Sequence, residues 1–231
     1  MSGLVLFDFD GTLADTAPDL AAAANRQRIR RELPPLPFER LRPVASKGAR
    51  GLLHAALGMT PDDPGYEATR LQFLEDYAAA STANSPLFPG IPDLLNMLEA
   101  RGYAWGIVTN KATALAQPII DHLGLTARCA TIVCGDTAAR AKPFPDPLLL
   151  AAQEAGYPPA RAIYVGDDLR DIQAAQAAGM PVIAAAYGYL GVDEDITLWK
   201  ADAHAQQPQD LWDIIQRYLP AHGSSATPVR A

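Results

Sequence analysis

Carboxylates and a hydroxyl–amide pair follow apolar stretches of this chain, and a lysine lies in a loop between two of these stretches. The carboxylates together can bind a cation. Asp8 and Asp10 end the first apolar run, where their charges repel each other unless a cation offsets them. Related groups recur later in the chain. Thr109-Asn110 and Gly166-Asp167-Asp168, with Asp171, follow later runs, and Lys142 lies in a loop between them. We therefore expect one site that holds several carboxylates, a lysine and a cation.

Taken singly, each of these groups also has an ordinary structural explanation. An asparagine after a strand is common in turns, and most lysines are solvated. Carboxylates such as Asp171 are favourable near the start of a helix. Their occurrence together, in this order on a chain of alternating strands and helices, favours a single site over unrelated surface features.

Five apolar runs predict the strands of a parallel sheet. They are residues 3–9, 104–108, 131–134, 162–165 and 181–186. Helix-like stretches lie between them, and three of these end near a glycine, as helices often do. The helix-like stretches are residues 92–101, 113–123, 147–155 and 169–178. The alternation predicts an α/β fold with a Rossmann-like parallel sheet core, whose ligands bind at the carboxyl ends of the strands.

Residues 16–85 interrupt the alternation. This block is helix-like, rich in alanine, leucine, arginine and glutamate, and has no convincing buried strand. We expect an inserted α-helical cap domain there, with the Rossmann-like core formed by residues 1–15 and 86–231. The tail, residues 222–231, is expected to be mobile.

Composition excludes several classes of partner. The 231 residues carry a net charge of −7, which argues against binding to nucleic acid or to anionic membranes. No apolar run approaches the roughly 20 residues of a membrane span, and no signal peptide is apparent. The two cysteines, Cys129 and Cys134, suit reduced thiols in a cytoplasmic protein. A monomer or a small homo-oligomer is expected.

The strand-end residues resemble the motifs of the haloacid dehalogenase-like superfamily of phosphohydrolases. Residues 8–16, Asp-Phe-Asp-Gly-Thr-Leu-Ala-Asp-Thr, match the first motif. Thr109, Lys142 and residues 166–171 match the second, third and fourth motifs, and the resemblance covers essentially the whole chain. A helical cap inserted after the first motif is part of the same resemblance.

Within the superfamily, the chain is most similar to the phosphoglycolate phosphatase branch. Residues 109–111, 142–147 and 187–189 carry this similarity. Residues 105–111 and 166–172 also resemble the proteobacterial enzymes that dephosphorylate N-acetylmuramic acid 6-phosphate. The usual phosphoglycolate form of the fourth motif has serine where this chain has Asp168.

The resemblance implies a Mg²⁺-dependent phosphatase that hydrolyses a small phosphorylated metabolite through an aspartyl-phosphate. Asp8 is the implied nucleophile, and Asp10 is the implied general acid and base. The implied Mg²⁺ ligands are the side chains of Asp8 and Asp167 and the main-chain carbonyl of Asp10. Asp10 also argues against dehalogenation, because a departing halide needs no proton.

The remaining motif residues have implied supporting roles. Lys142 and Thr109 bind the phosphoryl group, and Lys142 also holds Asp8. Asp168 and Asp171 orient metal-bound waters and Lys142. The residues expected to order the loops are Thr12 and Asn110.

The cap is expected to set substrate choice. In residues 46–51, Lys47 and Arg50 are candidates to bind a substrate carboxylate, although a solvated basic turn has the same composition. Three other functions remain open. They are a β-phosphoglucomutase-like mutase, a phosphonoacetaldehyde hydrolase with Lys47 as its Schiff-base lysine, and a non-catalytic binding module on the same fold.

Overall fold

A parallel sheet of six strands forms the centre of the protein, in a computed structural model that describes residues 2–191 and 195–220. The strands are β1 (Leu4–Phe7), β2 (Ala104–Val108), β3 (Ile132–Val133), β4 (Ala162–Gly166), β5 (Val182–Ala185) and β6 (Ala203–Ala205). Their order is β3-β2-β1-β4-β5-β6, and every neighbouring pair is parallel. The predicted α/β fold is therefore confirmed.

Helices lie on both faces of this sheet and in the segment inserted after β1. They are α1 (Ala17–Ile29), α2 (Phe38–Leu41), α3 (Gly48–Leu57), α4 (Tyr66–Ala78), α5 (Ile91–Ala100), α6 (Thr113–His122), α7 (Asp146–Glu154), α8 (Leu169–Ala177) and α9 (Leu211–Tyr218). Side chains of β1 alternate between the faces: Val5 and Phe7 pack with α5, α6 and α9, while Leu4 and Leu6 pack with α7 and α8. Because both faces are covered, β1 is apolar throughout and fully buried.

The chain leaves the sheet after β1 and returns before α5, and the two connections run side by side. Ala14 and Leu87 form an antiparallel bridge, and the Asp15 amide donates to the Pro86 carbonyl at 2.8 Å. Between these connections lie α1 to α4 and a 3₁₀ turn (Arg42–Lys47), with α3 and α4 both packed on α1. The expected domain boundaries, between residues 15 and 16 and between residues 85 and 86, lie where these two connections run side by side. The division into two domains stays a prediction.

Two elements of the sheet layer were not predicted from the sequence. The strand β6 has only three residues, Ala-His-Ala, and pairs with β5 at the edge of the sheet. Helix α9 follows it and contributes Leu211, Ile214 and Ile215 to the core. The expected tail, residues 222–231, lies outside the described residues. No described helix is long and apolar enough to cross a membrane.

Candidate active site

The first, second and fourth motifs meet because the strands that precede them are neighbours. β1 lies between β2 and β4, so Asp8, after β1, lies between Thr109, after β2, and Asp167, after β4. Main-chain hydrogen bonds hold the strand ends in register: the Asp8 amide donates to Val165 at 2.8 Å, and the Thr109 amide donates to Val133 at 2.9 Å. The carboxyl edge of the sheet thus collects the side chains that the sequence predicted to meet.

Three buried carboxylates form the centre of the site. One oxygen from each of Asp8, Asp167 and Asp171 lies within 4.8 Å of the others, and all three residues are at most 9% exposed. Asp171 belongs to this cluster, although from the sequence we expected it only to orient metal-bound waters and Lys142. It lies in the first turn of α8, two residues into the helix, and therefore faces the end of β4.

Lys142 is the cation that contacts this cluster. Its ammonium lies 2.9 Å from Asp8 Oδ1 and 2.7 Å from Asp171 Oδ1. It also donates to the Val108 carbonyl at 2.9 Å and to the Tyr164 hydroxyl at 2.7 Å. Lys142 is only 5% exposed, so these partners replace the water that its charge requires.

One lysine does not balance three buried carboxylates. Burial raises the pKa of Asp8 to about 7, although Lys142 acts in the opposite direction. Burial and the neighbouring charges of Asp8 and Asp171 raise the pKa of Asp167 well above its ordinary value. A bound cation removes this imbalance, and a set of hard carboxylate oxygens is what Mg²⁺ prefers. The donor set therefore fits the expected metal.

Asp167 is hydrogen-bonded to two of the surrounding loops. The Thr12 hydroxyl donates to its Oδ1 at 3.1 Å, and the Tyr189 amide donates to its Oδ2 at 2.7 Å. A Cβ at Gly11, where φ is +84°, would lie 2.1 Å from Asp167 Oδ2, and one at Gly188 would lie 2.3 Å from the Asp167 Cβ. Glycine at both positions allows this close approach. Thr12 thus orients a carboxylate as well as its own loop.

Asn110 fixes the loop that carries Lys142. Its side-chain amide donates to the Lys142 carbonyl at 2.9 Å, and its Oδ1 accepts from the Lys142 amide at 2.9 Å. This pair of hydrogen bonds joins the end of β2 to a loop 32 residues later in the chain. These two hydrogen bonds are how Asn110 can order the loop, as expected from the sequence.

Asp10 lies at the same edge but outside the carboxylate cluster. Its Oδ1 accepts a hydrogen bond from Lys111 Nζ at 2.5 Å and another from the Thr16 hydroxyl. Lys111 also donates to the Tyr77 hydroxyl at 2.8 Å. The side chain of Asp10 is therefore separate from the cluster of Asp8, Asp167 and Asp171.

Asp168 begins helix α8 and does not join the cluster. It accepts from the Arg170 amide at 2.9 Å, while its own amide donates to Asp171 at 3.1 Å, so the two carboxylates form a capping box. The Arg170 guanidinium pairs with both Asp168 oxygens at 2.7 and 2.8 Å. Although burial opposes it, this pairing holds the pKa of Asp168 below its ordinary value.

Asp168→Ser is expected to keep the helix cap and lose the ion pair, whereas Asp168→Ala loses both. Serine caps helices about as well as aspartate, so the alanine variant should be less stable than the serine variant by about 1 kcal/mol. The serine variant should lie within about 1 kcal/mol of the parent, because Arg170 is partly solvated. Urea denaturation measures both differences. Equal stability of the two variants contradicts a contribution from the cap.

A cavity of about 360 Å³ opens over these residues. Asp8, Asp10, Thr109 and Lys142 line its floor. Its opposite wall comes from the inserted helices and the 3₁₀ turn, and the residues there include Lys47, Arg70, Phe73 and Tyr77. The volume is at the lower end of the range for small-molecule sites.

The structure brings Lys47 to this cavity but not Arg50. Arg50 lines a neighbouring cavity with Lys47, His54 and Arg170. The cation that α4 contributes to the main cavity is Arg70, which pairs with Glu67 at 2.6 and 2.8 Å. The sequence carried a signal for this wall, because residues 70, 73, 74 and 77 have the spacing of one helical face.

Comparison with known proteins agrees with this geometry. The sequence model of the family described as "Haloacid dehalogenase-like hydrolase" matches residues 5–185. An N-acetylmuramic acid 6-phosphate phosphatase of Pseudomonas aeruginosa is 42% identical over 93% of this chain and 95% of its own length. A phosphoglycolate phosphatase of Xanthomonas campestris pv. campestris is 47% identical over 90% of this chain and 94% of its own.

A solved structure supports the same relationship. The crystal structure of a predicted phosphoglycolate phosphatase from Haemophilus somnus 129PT has a TM-score of 0.80 and 29% identity, and the match covers 93% of this chain and 98% of that one. The prediction of an enzyme related to these phosphatases is confirmed. The chain belongs to the haloacid dehalogenase-like hydrolase family.

Proposed function

We propose that this enzyme is a Mg²⁺-dependent phosphatase whose substrate is a small phosphomonoester with a carboxylate, such as 2-phosphoglycolate or N-acetylmuramic acid 6-phosphate. The observation that carries the proposal is the placement of Asp8. It lies on the cavity floor beside Lys142 and two further buried carboxylates, with Asp10 at the same edge. A nucleophile, a cation site and a proton donor therefore face one cavity.

The metal would be held by the side chains of Asp8 and Asp167 and by the main-chain carbonyl of Asp10. When bound, Mg²⁺ offsets the charge of the phosphoryl group, which otherwise repels the Asp8 carboxylate. Asp171 lies 2.7 Å from Lys142 and keeps that lysine charged and in place. The role of Asp171 in this scheme is to orient Lys142 between itself and the nucleophile.

The reaction would proceed in two steps, and in each step one phosphorus–oxygen bond forms and another breaks. In the first, Asp8 attacks phosphorus, the bond to the leaving alcohol breaks, and Asp10 gives its proton to the leaving oxygen. In the second, water attacks the aspartyl-phosphate, the bond to Asp8 breaks, and Asp10 takes a proton from the water. Phosphate and alcohol are the products, and both carboxyl groups return to their starting states.

Thr109 and Lys142 would bind the phosphoryl oxygens. The Thr109 oxygen accepts a hydrogen bond from the Lys111 amide at 3.1 Å, so its own proton is available for a phosphoryl oxygen. Lys142 places positive charge next to Asp8, where negative charge accumulates during transfer. These groups are fixed before the substrate arrives, which is the arrangement that electrostatic catalysis requires.

Residues 16–85 would act as a cap that closes the cavity and excludes water. Lys47 lies in the wall of the cavity, while Arg50 lies one cavity further out, so a substrate carboxylate would meet Lys47 first. The free thiols of Cys129 and Cys134 are compatible with a cytoplasmic location, which is part of the proposal together with a monomeric or small homo-oligomeric state.

The proposal is tested by phosphate release from four substrates in the presence of Mg²⁺. They are 2-phosphoglycolate, N-acetylmuramic acid 6-phosphate, glucose 6-phosphate and p-nitrophenyl phosphate, with the Asp8→Asn protein as the blank. One of the two carboxylated substrates should exceed glucose 6-phosphate in kcat/KM by about tenfold or more, since a charged hydrogen bond contributes roughly 1.5–3 kcal/mol. Phosphate release no faster than the blank, or equal use of glucose 6-phosphate, contradicts the proposal.

A further inference from the structure

The carboxyl group of Asp10 is linked to the inserted helices through Lys111. Lys111 follows β2 and donates to Asp10 Oδ1 at 2.5 Å and to the Tyr77 hydroxyl at 2.8 Å. Its ammonium also lies 4.7 Å from the centre of the Tyr77 ring. Tyr77 belongs to α4, whereas Asp10 and Lys111 follow β1 and β2. The contact therefore joins the two parts of the chain across the cavity.

Little water reaches this link. The side chains of Lys111 and Asp10 are 8% and 16% exposed, and Tyr77 is 1% exposed. Burial works against the charge of Lys111, but Asp10 and Tyr77 outweigh it and hold the lysine pKa above its ordinary value. In such surroundings a charged hydrogen bond is strong and directional, so the positions of the three groups depend on one another.

The two donors to Asp10 approach the same oxygen. Lys111 and the Thr16 hydroxyl both bind Oδ1, and both lie close to it. Neither of these two donors contacts Oδ2, so in the proposed mechanism Oδ2 is the oxygen that would transfer the proton. Two contacts on one oxygen also fix the rotation of the carboxyl group, which sets the direction in which Oδ2 faces the cavity.

We propose that Tyr77, acting through Lys111, is a positioning residue that orients the Asp10 carboxyl for proton transfer. This inference rests on the proposed phosphatase function. It adds that the proton donor is aligned only while α4 lies against the cavity, because the Tyr77 hydroxyl is the contact that α4 supplies to the lysine. The inserted helices then close over the cavity and orient the Asp10 carboxyl in the same movement.

The test is Tyr77→Phe, which keeps the aromatic ring beside Lys111 and removes only the hydroxyl. An alkyl phosphate needs a proton on its leaving oxygen, whereas p-nitrophenolate departs with little help. The variant should therefore lose about tenfold in kcat/KM on the carboxylated substrate and about twofold or less on p-nitrophenyl phosphate. The ratio of the two losses is the readout, since a general loss of packing lowers both rates alike.

The matched control is Tyr66→Phe. Tyr66 is a buried tyrosine at the start of the same helix, eleven residues before Tyr77 and thus about 16 Å along the axis. It should leave the ratio of the two substrates unchanged. Lys111→Met should move the ratio in the same direction as Tyr77→Phe, and by more, because it removes the group that touches Asp10 directly.

Equal losses on both substrates in Tyr77→Phe, or no loss on either, overturn the inference. Failure of the proposed function has a different signature, because the parent protein itself then releases no phosphate from any substrate above the Asp8→Asn blank. In a third case the parent turns over both substrates, and the ratio of the two losses in kcat/KM is the same for Tyr77→Phe as for Tyr66→Phe. The phosphatase proposal then stands, and Tyr77 has no positioning role in it.

Discussion

Asp8→Asn is expected to lower kcat/KM for phosphate release by a factor of about 10³ or more while the protein stays folded. Asparagine keeps the shape of the side chain, but its amide cannot form the aspartyl-phosphate. It also removes one of the carboxylates that would hold Mg²⁺. Phosphate release with 2-phosphoglycolate or N-acetylmuramic acid 6-phosphate measures the loss, and a retained rate within tenfold of the parent contradicts the nucleophile assignment.

The same variant should be more stable than the parent in EDTA at pH 8. Burial raises the folded-state pKa of Asp8 to about 7 from an ordinary value of 3.8, so the folded protein binds this proton more tightly than the unfolded chain. Stability is then lost as the pH rises from 3.8 to about 7, because ionising a buried Asp8, with Asp171 beside it, is unfavourable without a metal. Asparagine carries no charge and avoids that loss.

Urea denaturation in EDTA at pH 5 and pH 8 measures this effect. The free energy of unfolding of Asp8→Asn should exceed that of the parent by more at pH 8 than at pH 5. Asp62→Asn, on an exposed turn, removes a carboxylate of the same type outside the site and should show no such difference. A gap between Asp8→Asn and the parent that does not grow with pH contradicts the buried, unbalanced carboxylate cluster.

The sheet and the central residues of the site were predictable because both follow from local patterns. An apolar run such as residues 4–7 indicates a strand that is covered on both faces, and parallel strands end at one edge. Asp8, Thr109 and Asp167 each follow such a run directly, so their meeting depends only on the strands being neighbours. Strand β6 was not predicted because its three residues are too few to form a recognisable apolar run.

The contacts made by the inserted helices could not be predicted in the same way. They depend on how α4 packs over the sheet edge, and no local pattern fixes that orientation. Arg70 and Tyr77 were therefore missed, and Arg50 was favoured from its glycine-rich surroundings although it lies outside the main cavity. Asp168 was expected to orient metal-bound waters, but in the structure it caps α8 and pairs with Arg170.

Lys142→Met should destabilise the metal-free protein by about 3–5 kcal/mol and reduce phosphate release strongly. Methionine fills a similar volume, so the main change is the loss of charge. Three buried carboxylates then face one another without the ammonium that lies 2.9 Å from Asp8 and 2.7 Å from Asp171. Removing one partner of a buried ion pair costs more than the pair itself contributes, because the remaining charge stays desolvated.

A second substitution separates this charge effect from a loss of packing. Asp171→Asn in the Lys142→Met background removes one of the repelling carboxylates, so the double variant should recover part of the lost stability in EDTA. The two changes should be non-additive by about 0.5–3 kcal/mol, the range for residues in one network. Urea denaturation of the parent, both single variants and the double variant measures this coupling. Additive losses would mean that Lys142 stabilises the fold through packing and does not balance the charge of Asp8 and Asp171.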